Sequence, residues 1–246
     1  MTFFEAILSG IVQGITEFLP ISSSGHLVIL HKLIGLKEPQ LGFDIFLHAG
    51  TLIAIFIIFR NYILDFFTTK KRLGLFVLMG TAVTVFFVFL FGGLIEGAFS
   101  DVRIVGAMLI VTGAWLILGN LVRFDTGPLT GFKAILIGLA QGISAFPGIS
   151  RSGTTISTAL FLGMDPKSAA RFSFLLAIPA IVAAFFFKTR EVVFTGFDPN
   201  YIFGLITSCI VGIMALKLLL RILYKNRFWL FGFYCIFAGV LVLLLL

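Results

Sequence analysis

Charged residues are scarce in this chain: Asp, Glu, Lys and Arg make up 12% of its 246 residues, while 59% are hydrophobic and the mean hydropathy is +1.14. Soluble domains of this size carry about twice that share of charged residues. The sequence therefore excludes a water-soluble globular protein and predicts a protein of the lipid bilayer. The net charge of +7 does not indicate a nucleic-acid partner, because Lys and Arg occur in short clusters between long apolar segments.

Cysteine is also rare, since Cys209 and Cys235 are the only two and both lie within apolar stretches. Their spacing fits neither a disulfide framework nor a cysteine-ligated metal site, so we interpret them as small core residues. The N-terminal segment lacks the positively charged region of a signal peptide, and Glu5, Gln13 and Glu17 interrupt its apolar run. We expect this segment to remain in the mature protein.

Six apolar segments are long enough to cross a bilayer, which takes about 20 residues of α-helix. They cover approximately residues 43–62, 73–94, 102–122, 168–188, 200–222 and 228–246. No linker or low-complexity tract separates them. The sequence therefore predicts an all-α integral membrane protein with a single membrane domain, residues 1–246.

Two further apolar segments are too short to cross. Residues 3–19 and 133–146 are each followed by a break rich in Pro, Gly and Ser, and then by a second short helical run near 24–35 and 152–163. At about 1.5 Å per residue, each arm is shorter than the roughly 30 Å hydrocarbon core. We therefore predict two re-entrant helix–turn–helix hairpins, which with the six spans give about ten helices.

The two hairpins are copies of one another. When residues 6–25 are aligned with residues 134–153 without a gap, 12 of the 20 positions are identical. The similarity continues into the span that follows each hairpin, so each half consists of a hairpin and three spans. We assign repeat 1 to residues 1–124 and repeat 2 to residues 130–246. Because three crossings is an odd number, the second half must be inverted relative to the first, and the two polar turns should face each other.

The distribution of basic residues predicts the orientation, because cytoplasmic loops carry most of the Lys and Arg. With both termini outside, twelve basic residues fall at the cytoplasmic ends of the helices and five at the outer ends. The first hairpin then opens to the outer face and the second to the cytoplasmic face. The inner residues are Arg60, Lys70, Lys71, Arg72, Arg123, Lys133, Lys167, Arg171, Lys217, Arg221, Lys225 and Arg227, and the outer residues are Lys32, Lys37, Arg103, Lys188 and Arg190.

The first polar segment, residues 13–26, places several polar groups at one helix break. Gln13 and Glu17 are four residues apart and share a helix face that points toward the turn. Pro20 breaks the helix, and the following Ser22, Ser23 and Ser24 supply capping oxygens for a new one. A helix N-terminus offers unpaired N–H donors and partial positive charge, so the predicted ligand is an anion such as phosphate.

The second polar segment, residues 141–155, differs from the first at three chemically important positions. Ala145 stands in the place of Glu17, Arg151 in that of Ser23, and Thr154 in that of His26. The first segment therefore keeps the titratable groups suited to acid–base or nucleophilic chemistry, whereas the second supplies a guanidinium that binds phosphate. We predict that chemistry and phosphate binding are divided between the halves.

Structural explanations compete with this interpretation. The three serines are also common as a simple helix cap, and the glycines of both segments also permit close helix packing. Glu17 and Arg151 could form a purely structural ion pair, but an intramembrane charge costs about 2.5–3.5 kcal/mol and usually has a functional reason. We expect Asp44 and His48, four residues apart in the first span, to form a local hydrogen bond outside the site.

Two motifs carry a resemblance to a known family: QGITEFLPISSSGH at residues 13–26 and PGISRSGTT at residues 147–155. Together they closely resemble the undecaprenyl-diphosphate phosphatases of the BacA/UppP type, over essentially the full chain. The resemblance implies a multi-pass enzyme of the bacterial inner membrane that removes one phosphate from undecaprenyl diphosphate. Its partners would be the polyprenyl diphosphate lipid and the bilayer, and its activity recycles the cell-wall lipid carrier and confers resistance to bacitracin.

The resemblance also implies roles for individual residues. Catalytic roles fall to Glu17, His26, Ser23 and Arg151, with Arg151 as the phosphate clamp. Family activity is supported by a divalent cation, Mg²⁺ or Ca²⁺, but many members have Glu at the position of Gln13, so Glu17 is the one candidate ligand left on this helix. Phosphate binding is assigned to the rest of the two motifs: Gln13, Ser22, Ser24, Gly25, Gly148, Ser150, Ser152 and Thr155.

The mechanism and the function class leave alternatives open at the level of sequence. His26, Ser23 or a water could attack the phosphate, and the motif favours Ser23 or His26. Inverted repeats with broken helices are also a transporter layout, so a flippase of polyprenyl phosphate is the main alternative. An ion channel is less favoured, because a lone Arg151 is a poor selectivity filter. The sequence also leaves room for a homodimer.

Overall fold

The computed structural model of the chain describes residues 1–36, 41–67, 71–121, 127–195, 198–225 and 227–246. Within these ranges it is built from ten α-helices and one short 3-10 turn. Three of the basic residues used to predict the orientation, Lys37, Lys70 and Arg123, lie outside the described residues, as do the predicted end points at 122 and 124.

The first hairpin consists of α1 (Phe3–Phe18) and α2 (Ser23–Leu33). Helix α1 begins with a capping box, in which the Thr2 and Glu5 side chains each accept a hydrogen bond from the other residue's backbone N–H. It ends at Phe18 because Pro20 cannot donate the next helical hydrogen bond. Helix α2 then begins at the predicted cap, Ser22, whose hydroxyl accepts from the N–H of Gly25.

The second hairpin consists of α6 (Gly131–Ile143) and α7 (Arg151–Phe161), each with a hydroxyl cap, from Thr130 and Ser150. Its two ends meet, because the N–H of Gly127 donates to the carbonyl of Gly163 at 2.8 Å. The chain thus enters and returns on the same side. Both predicted re-entrant hairpins are confirmed, with boundaries within a few residues of those expected.

The other six helices are long and apolar enough to cross a membrane, and they confirm the six predicted spans. Helix α8 carries Pro179 within its length. Helix α10 is preceded by the 3-10 turn Phe228–Leu230. The spans are α3 (Leu41–Phe67), α4 (Lys71–Phe99), α5 (Val102–Leu121), α8 (Pro166–Thr195), α9 (Asn200–Tyr224) and α10 (Phe231–Leu245).

Each hairpin packs chiefly against a span of the other half: α1 lies along α9, and α6 lies along α4. Glycines permit both contacts. A Cβ added to Gly10 would lie 2.7 Å from the carbonyl oxygen of Gly204, and one added to Gly138 would lie 2.4 Å from that of Gly80. Small residues of this kind let helix backbones approach closely in membranes. The hairpins are therefore exchanged between the halves, which brings their turns together at the centre.

Helices α5 and α10, the last spans of the two halves, cross through two reciprocal pairs of glycines. A Cβ on Gly113 would lie 2.5 Å from the carbonyl oxygen of Gly232, and one on Gly239 would lie 2.5 Å from that of Gly106. The earlier glycine of α5, Gly106, meets the later glycine of α10, Gly239, and Gly113 meets Gly232, so the two helices run antiparallel. The last spans of the two halves thus point in opposite directions, as the inverted arrangement requires.

Both chain termini lie at one end of the molecule. The N-terminal amino group of Met1 pairs with Asp198 at 3.2 Å, just before α9, and Lys32 Nζ at the end of α2 donates to the Leu246 carbonyl at 3.2 Å. At the opposite end of α9, the Lys167 amino group lies 5.3 Å from the ring centre of Tyr224. Lys32 therefore lies at the end with the termini, and Lys167 lies at the opposite end.

Candidate active site

The two polar turns meet inside the protein at Ser22. Its hydroxyl accepts hydrogen bonds from the N–H of Gly25 at 3.3 Å and, across the repeat interface, from the N–H of Gly148 at 3.1 Å. Ser22 has a left-handed backbone with φ of 69°, the one non-glycine residue to do so in the described ranges. Strained backbone of this kind persists where surrounding contacts fix it, and it concentrates at functional sites. The prediction that the two turns face each other is confirmed.

Helix α5 holds the second turn in place. The Thr112 hydroxyl donates to the carbonyl of Gly148 at 2.9 Å and accepts from the N–H of Ser150 at 3.1 Å. Gly148 has φ of 95°, and a Cβ there would lie 2.4 Å from the carbonyl oxygen of Val105. Only glycine fits this combination of backbone angle and close approach. The start of α7, which carries Arg151, is thereby fixed against α5.

The Glu17 carboxylate is the centre of the site and is 6% exposed. Its Oε1 accepts from Arg151 Nη2 at 2.6 Å, and its Oε2 accepts from the Ser23 hydroxyl at 2.6 Å. The Gln13 amide donates to Oε2 at 3.1 Å. One carboxylate therefore joins the arginine of the second hairpin to a serine of the first, as the sequence predicted for these residues as a group.

Arg151 has capacity to bind a further anion. While its Nη2 binds Glu17, its Nη1 is buried and has no hydrogen-bond partner in the part of the chain that the structure describes. The guanidinium lies at the N-terminus of α7, where the first N–H groups of a helix have no intrahelical partner. A phosphate oxygen would satisfy both kinds of donor.

Aromatic rings form an apolar floor beneath these charges. Phe18 and Phe174 are fully buried, with ring centres 5.8 Å apart, and the Arg151 guanidinium carbon lies 5.8 Å from the ring centre of Phe174. These rings give the ion pair of Glu17 and Arg151 surroundings of low polarity. The attraction between the two charges is stronger there, because water is excluded.

His48 belongs to this cluster, contrary to the sequence-based expectation. Its Nδ1 lies 2.9 Å from Gln13 Nε2 and 3.3 Å from Glu17 Oε2. The expectation that His48 would lie outside the site was wrong, because α3 packs against α1 and turns His48 toward the Gln13 and Glu17 face.

His26 is placed differently from Ser23. Its Nδ1 lies 2.8 Å from the carbonyl oxygen of Ser22, and its Nε2 lies 2.8 Å from the hydroxyl of Tyr234 on α10. The two rings are stacked at 5.8 Å with an interplanar angle of 12°. Because a carbonyl can only accept, Nδ1 carries a proton, and in neutral imidazole Nε2 then accepts from Tyr234. His26 is thus held by Ser22 and Tyr234, whereas Ser23 is held by Glu17.

The remaining predicted phosphate-binding hydroxyls fall into two groups. The Ser24 hydroxyl lies 3.4 Å from the Ser22 hydroxyl at the start of α2, and the Ser152 hydroxyl lies 3.4 Å from the Ser150 hydroxyl at the start of α7. Thr155 is fully buried, and its hydroxyl contacts the Arg151 carbonyl at 2.7 Å and Ser173 of α8 at 2.6 Å. The structure thus places Thr155 behind Arg151, where it supports the helix that carries the guanidinium.

Comparison with known families decides the classification. The family described as "Bacitracin resistance protein BacA" matches residues 6–241, nearly the whole chain. The chain belongs to this family.

Curated relatives of this BacA-family chain agree with that assignment. A protein from Halothermothrix orenii named "Undecaprenyl-diphosphatase" is 40% identical over 255 residues, covering 100% of this chain and 98% of the relative. A protein of the same name from Desulfatibacillum aliphaticivorans is 41% identical, covering 99% and 98%. One from Korarchaeum cryptofilum is 37% identical and covers both chains fully. The resemblance found from the two motifs is therefore confirmed.

Sequence reasoning missed two residues of this BacA-family site, His48 and Tyr234. For His48 a signal was available, because extending the repeat alignment from Phe43 and Phe172 pairs His48 with Ala177. The polar residue thus changes to alanine in the second half, as Glu17 does to Ala145. For Tyr234 no such signal exists, because its role depends on α10 reaching α2 from 208 positions away in sequence.

Proposed function

We propose that this chain is a membrane phosphatase that hydrolyses undecaprenyl diphosphate to undecaprenyl phosphate and inorganic phosphate. In a bacterial cell this reaction recycles the cell-wall lipid carrier and lowers sensitivity to bacitracin. The observation that carries the proposal is the contact of one buried carboxylate, Glu17, with both a hydroxyl nucleophile and a guanidinium, each at 2.6 Å. The family assignment supports the substrate.

The diphosphate binds between the two turns while its polyprenyl tail stays in the lipid. Arg151 Nη1 and the first N–H groups of α2 and α7 neutralise the phosphate charge. Phosphoryl transfer depends mainly on positioning and on stabilisation of charge in the transition state. The hydroxyls of Ser24, Ser150 and Ser152 lie close enough to the helix starts to complete this binding.

Ser23 is the group that Glu17 activates. In the first step its oxygen forms a bond to the terminal phosphorus, its proton passes to Glu17, and the bond from that phosphorus to the bridging oxygen breaks. Undecaprenyl phosphate leaves, and a phosphoserine remains. The 2.6 Å contact between Ser23 and Glu17 supports Ser23 over His26 as the attacking group.

Water completes the reaction by attacking the phosphoserine, which restores the Ser23 hydroxyl and releases inorganic phosphate. We assign activation of this water to His26. It lies one helical turn after Ser23 on α2, and its Nε2 is a base whenever Nδ1 donates to the Ser22 carbonyl. Tyr234 donates to Nε2 and orients the ring, so the attacking water takes the place of the Tyr234 hydroxyl at Nε2 before it gives up its proton.

A divalent cation, Mg²⁺ or Ca²⁺, would reach the site bound to the diphosphate oxygens. The described residues include no group of three or more His, Cys, Asp or Glu side chains placed to hold a metal. The Glu17 oxygens are already engaged by Arg151, Ser23 and Gln13. The side chains therefore do not fit a resident cation, whereas Mg²⁺ commonly binds through substrate phosphates.

A flippase of polyprenyl phosphate is the second candidate, because hairpins exchanged between two antiparallel halves are a transporter layout. The purified protein should be assayed in liposomes for phosphate release from a C55 or shorter prenyl diphosphate, with translocation of labelled prenyl phosphate measured in parallel. We expect many turnovers of phosphate release, with empty liposomes as the control. Translocation without phosphate release would reject the phosphatase and favour the flippase.

The protein lies in the inner membrane with both termini outside, as one domain of two inverted repeats, 1–124 and 130–246. The antiparallel crossing of α5 and α10 supports the inversion, and the basic residues Lys133, Lys167 and Arg171, at the end opposite the termini, support the orientation. A homodimer is also part of the proposal. The exposed apolar side chains of α4 and α10 do not favour a dimer over a monomer, because helices that face lipid expose side chains of the same kind.

The orientation can be tested with cysteines at opposite ends. In a Cys209→Ala background, Ser100→Cys lies at the end with the termini and Lys167→Cys at the basic end, and both positions are exposed. In intact cells an impermeant maleimide should label position 100, and position 167 should react only after permeabilisation. The reverse pattern would contradict the proposed orientation.

A further inference from the structure

We propose that His48 is a positioning residue for the reaction: together with Gln13, it holds the Glu17 carboxylate in the orientation that receives the Ser23 proton. The inference rests on the proposed phosphatase activity and deepens it. Its basis is the compact set of contacts at Glu17 Oε2, which is 2.6 Å from the Ser23 hydroxyl, 3.1 Å from Gln13 Nε2 and 3.3 Å from His48 Nδ1.

The Gln13 amide is fixed through its nitrogen alone. Its Nε2 lies 3.1 Å from Glu17 Oε2 and 2.9 Å from His48 Nδ1, so both amide hydrogens are used. Its Oε1 is buried with no hydrogen-bond partner in the described part of the chain. Because Nδ1 accepts from the amide, His48 acts on Glu17 through Gln13. Without His48, one of the two bonds that define the amide orientation would be lost, and Gln13 would hold the Glu17 carboxylate less firmly.

The second half of the chain provides an internal comparison. Gln141, the counterpart of Gln13, donates through Nε2 to the Leu176 carbonyl at 3.2 Å and to the Thr84 hydroxyl at 3.3 Å. The fold can therefore seat this glutamine with a carbonyl and a hydroxyl. Histidine occurs only in the half that has Glu17, since Ala177 occupies its place in the other. This distribution indicates that His48 serves the carboxylate.

The exposure of His48 argues against a role in core packing. Its side chain is 31% exposed, whereas that of Glu17 is 6% exposed. The charged groups that act on the His48 ring are Glu17 on α1, Arg151 on α7 and Asp44 on its own helix. A partly exposed ring directed at a buried carboxylate is suited to making hydrogen bonds rather than to filling space.

The test compares His48→Leu, which keeps volume but no hydrogen bond, with His48→Asn, whose amide can stand near the position of Nδ1. We expect His48→Leu to lower kcat for prenyl diphosphate hydrolysis by about 10- to 100-fold with little change in KM, because the Gln13 amide would no longer be held in its hydrogen bond to the charged Glu17 carboxylate. His48→Asn should recover most of that loss. Thermal stability in detergent is measured for both variants, so that kcat refers to folded protein.

His31→Leu is the matched control, because His31 is also a buried histidine that contacts α1, through Ser9 at 3.4 Å, but lies away from Glu17. Its kcat should match that of the wild type. The inference is overturned if His48→Leu keeps normal kcat, or if His48→Leu and His48→Asn lose activity equally. A wild-type protein that releases no phosphate would overturn the proposed function and this inference with it, so the two failures are distinguishable.

Discussion

Glu17→Gln should lower kcat for phosphate release by about 10³-fold, within the range expected for loss of a general base. An amide keeps the shape of the side chain but cannot take the Ser23 proton or neutralise Arg151, which Glu17 now contacts at 2.6 Å. Leaving a mostly buried guanidinium unpaired should also cost about 3–5 kcal/mol of stability. Initial rates on a prenyl diphosphate and thermal unfolding in detergent measure the two effects.

Two companion variants separate the functional role of this ion pair from a structural one. Glu17→Met combined with Arg151→Met removes both charges, so much of the stability should return while activity stays absent, because apolar pairs often replace buried ion pairs without loss. Glu96→Gln, at an exposed position on α4, controls for loss of a negative charge and should behave as the wild type. An active Met/Met double variant would mean that the pair is structural.

Much of the fold was predictable because a bilayer restricts what a chain can do. Every span and both hairpins followed from the length of apolar segments and from Pro20 and the capping serines, which act locally. The internal repeat then gave the inversion without any structural information. The exchange of hairpins between halves was not predictable, because it depends on which glycine faces meet, such as Gly10 with Gly204.

The site was predictable to the extent that its residues share a motif. Glu17, Ser23 and Arg151 were selected by their types and by an unusual location for polar groups, and the structure joins all three. His48 was misplaced because the direction of a side chain on a long span depends on helix packing. Tyr234 was missed because nothing in an apolar helix near the C-terminus distinguishes a tyrosine that binds a histidine from one that faces lipid.

Ser23→Ala should have the largest effect of any single hydroxyl substitution, a loss of kcat of about 10⁴-fold or more, as for removal of other serine nucleophiles. The adjacent Ser24→Ala is the matched comparison, since its hydroxyl lies near Ser22 and not on Glu17. It should cost about tenfold or less, the value of one neutral hydrogen bond. Initial rates of phosphate release from each purified variant measure the difference.

The identity of the attacking group also leaves a chemical signature. Rapid quenching of wild-type protein with a terminally labelled diphosphate should trap label on Ser23 as an acid-stable phosphoserine, located by mass spectrometry of the peptide spanning α2. Acid-labile label on His26 would instead assign the attack to the imidazole. In that case the 2.6 Å contact between Ser23 and Glu17 would hold the carboxylate in place, and His26→Ala would replace Ser23→Ala as the variant with the greatest loss. Complete absence of label under single-turnover conditions, with phosphate still released, would point to direct attack by water and leave Glu17 as its base.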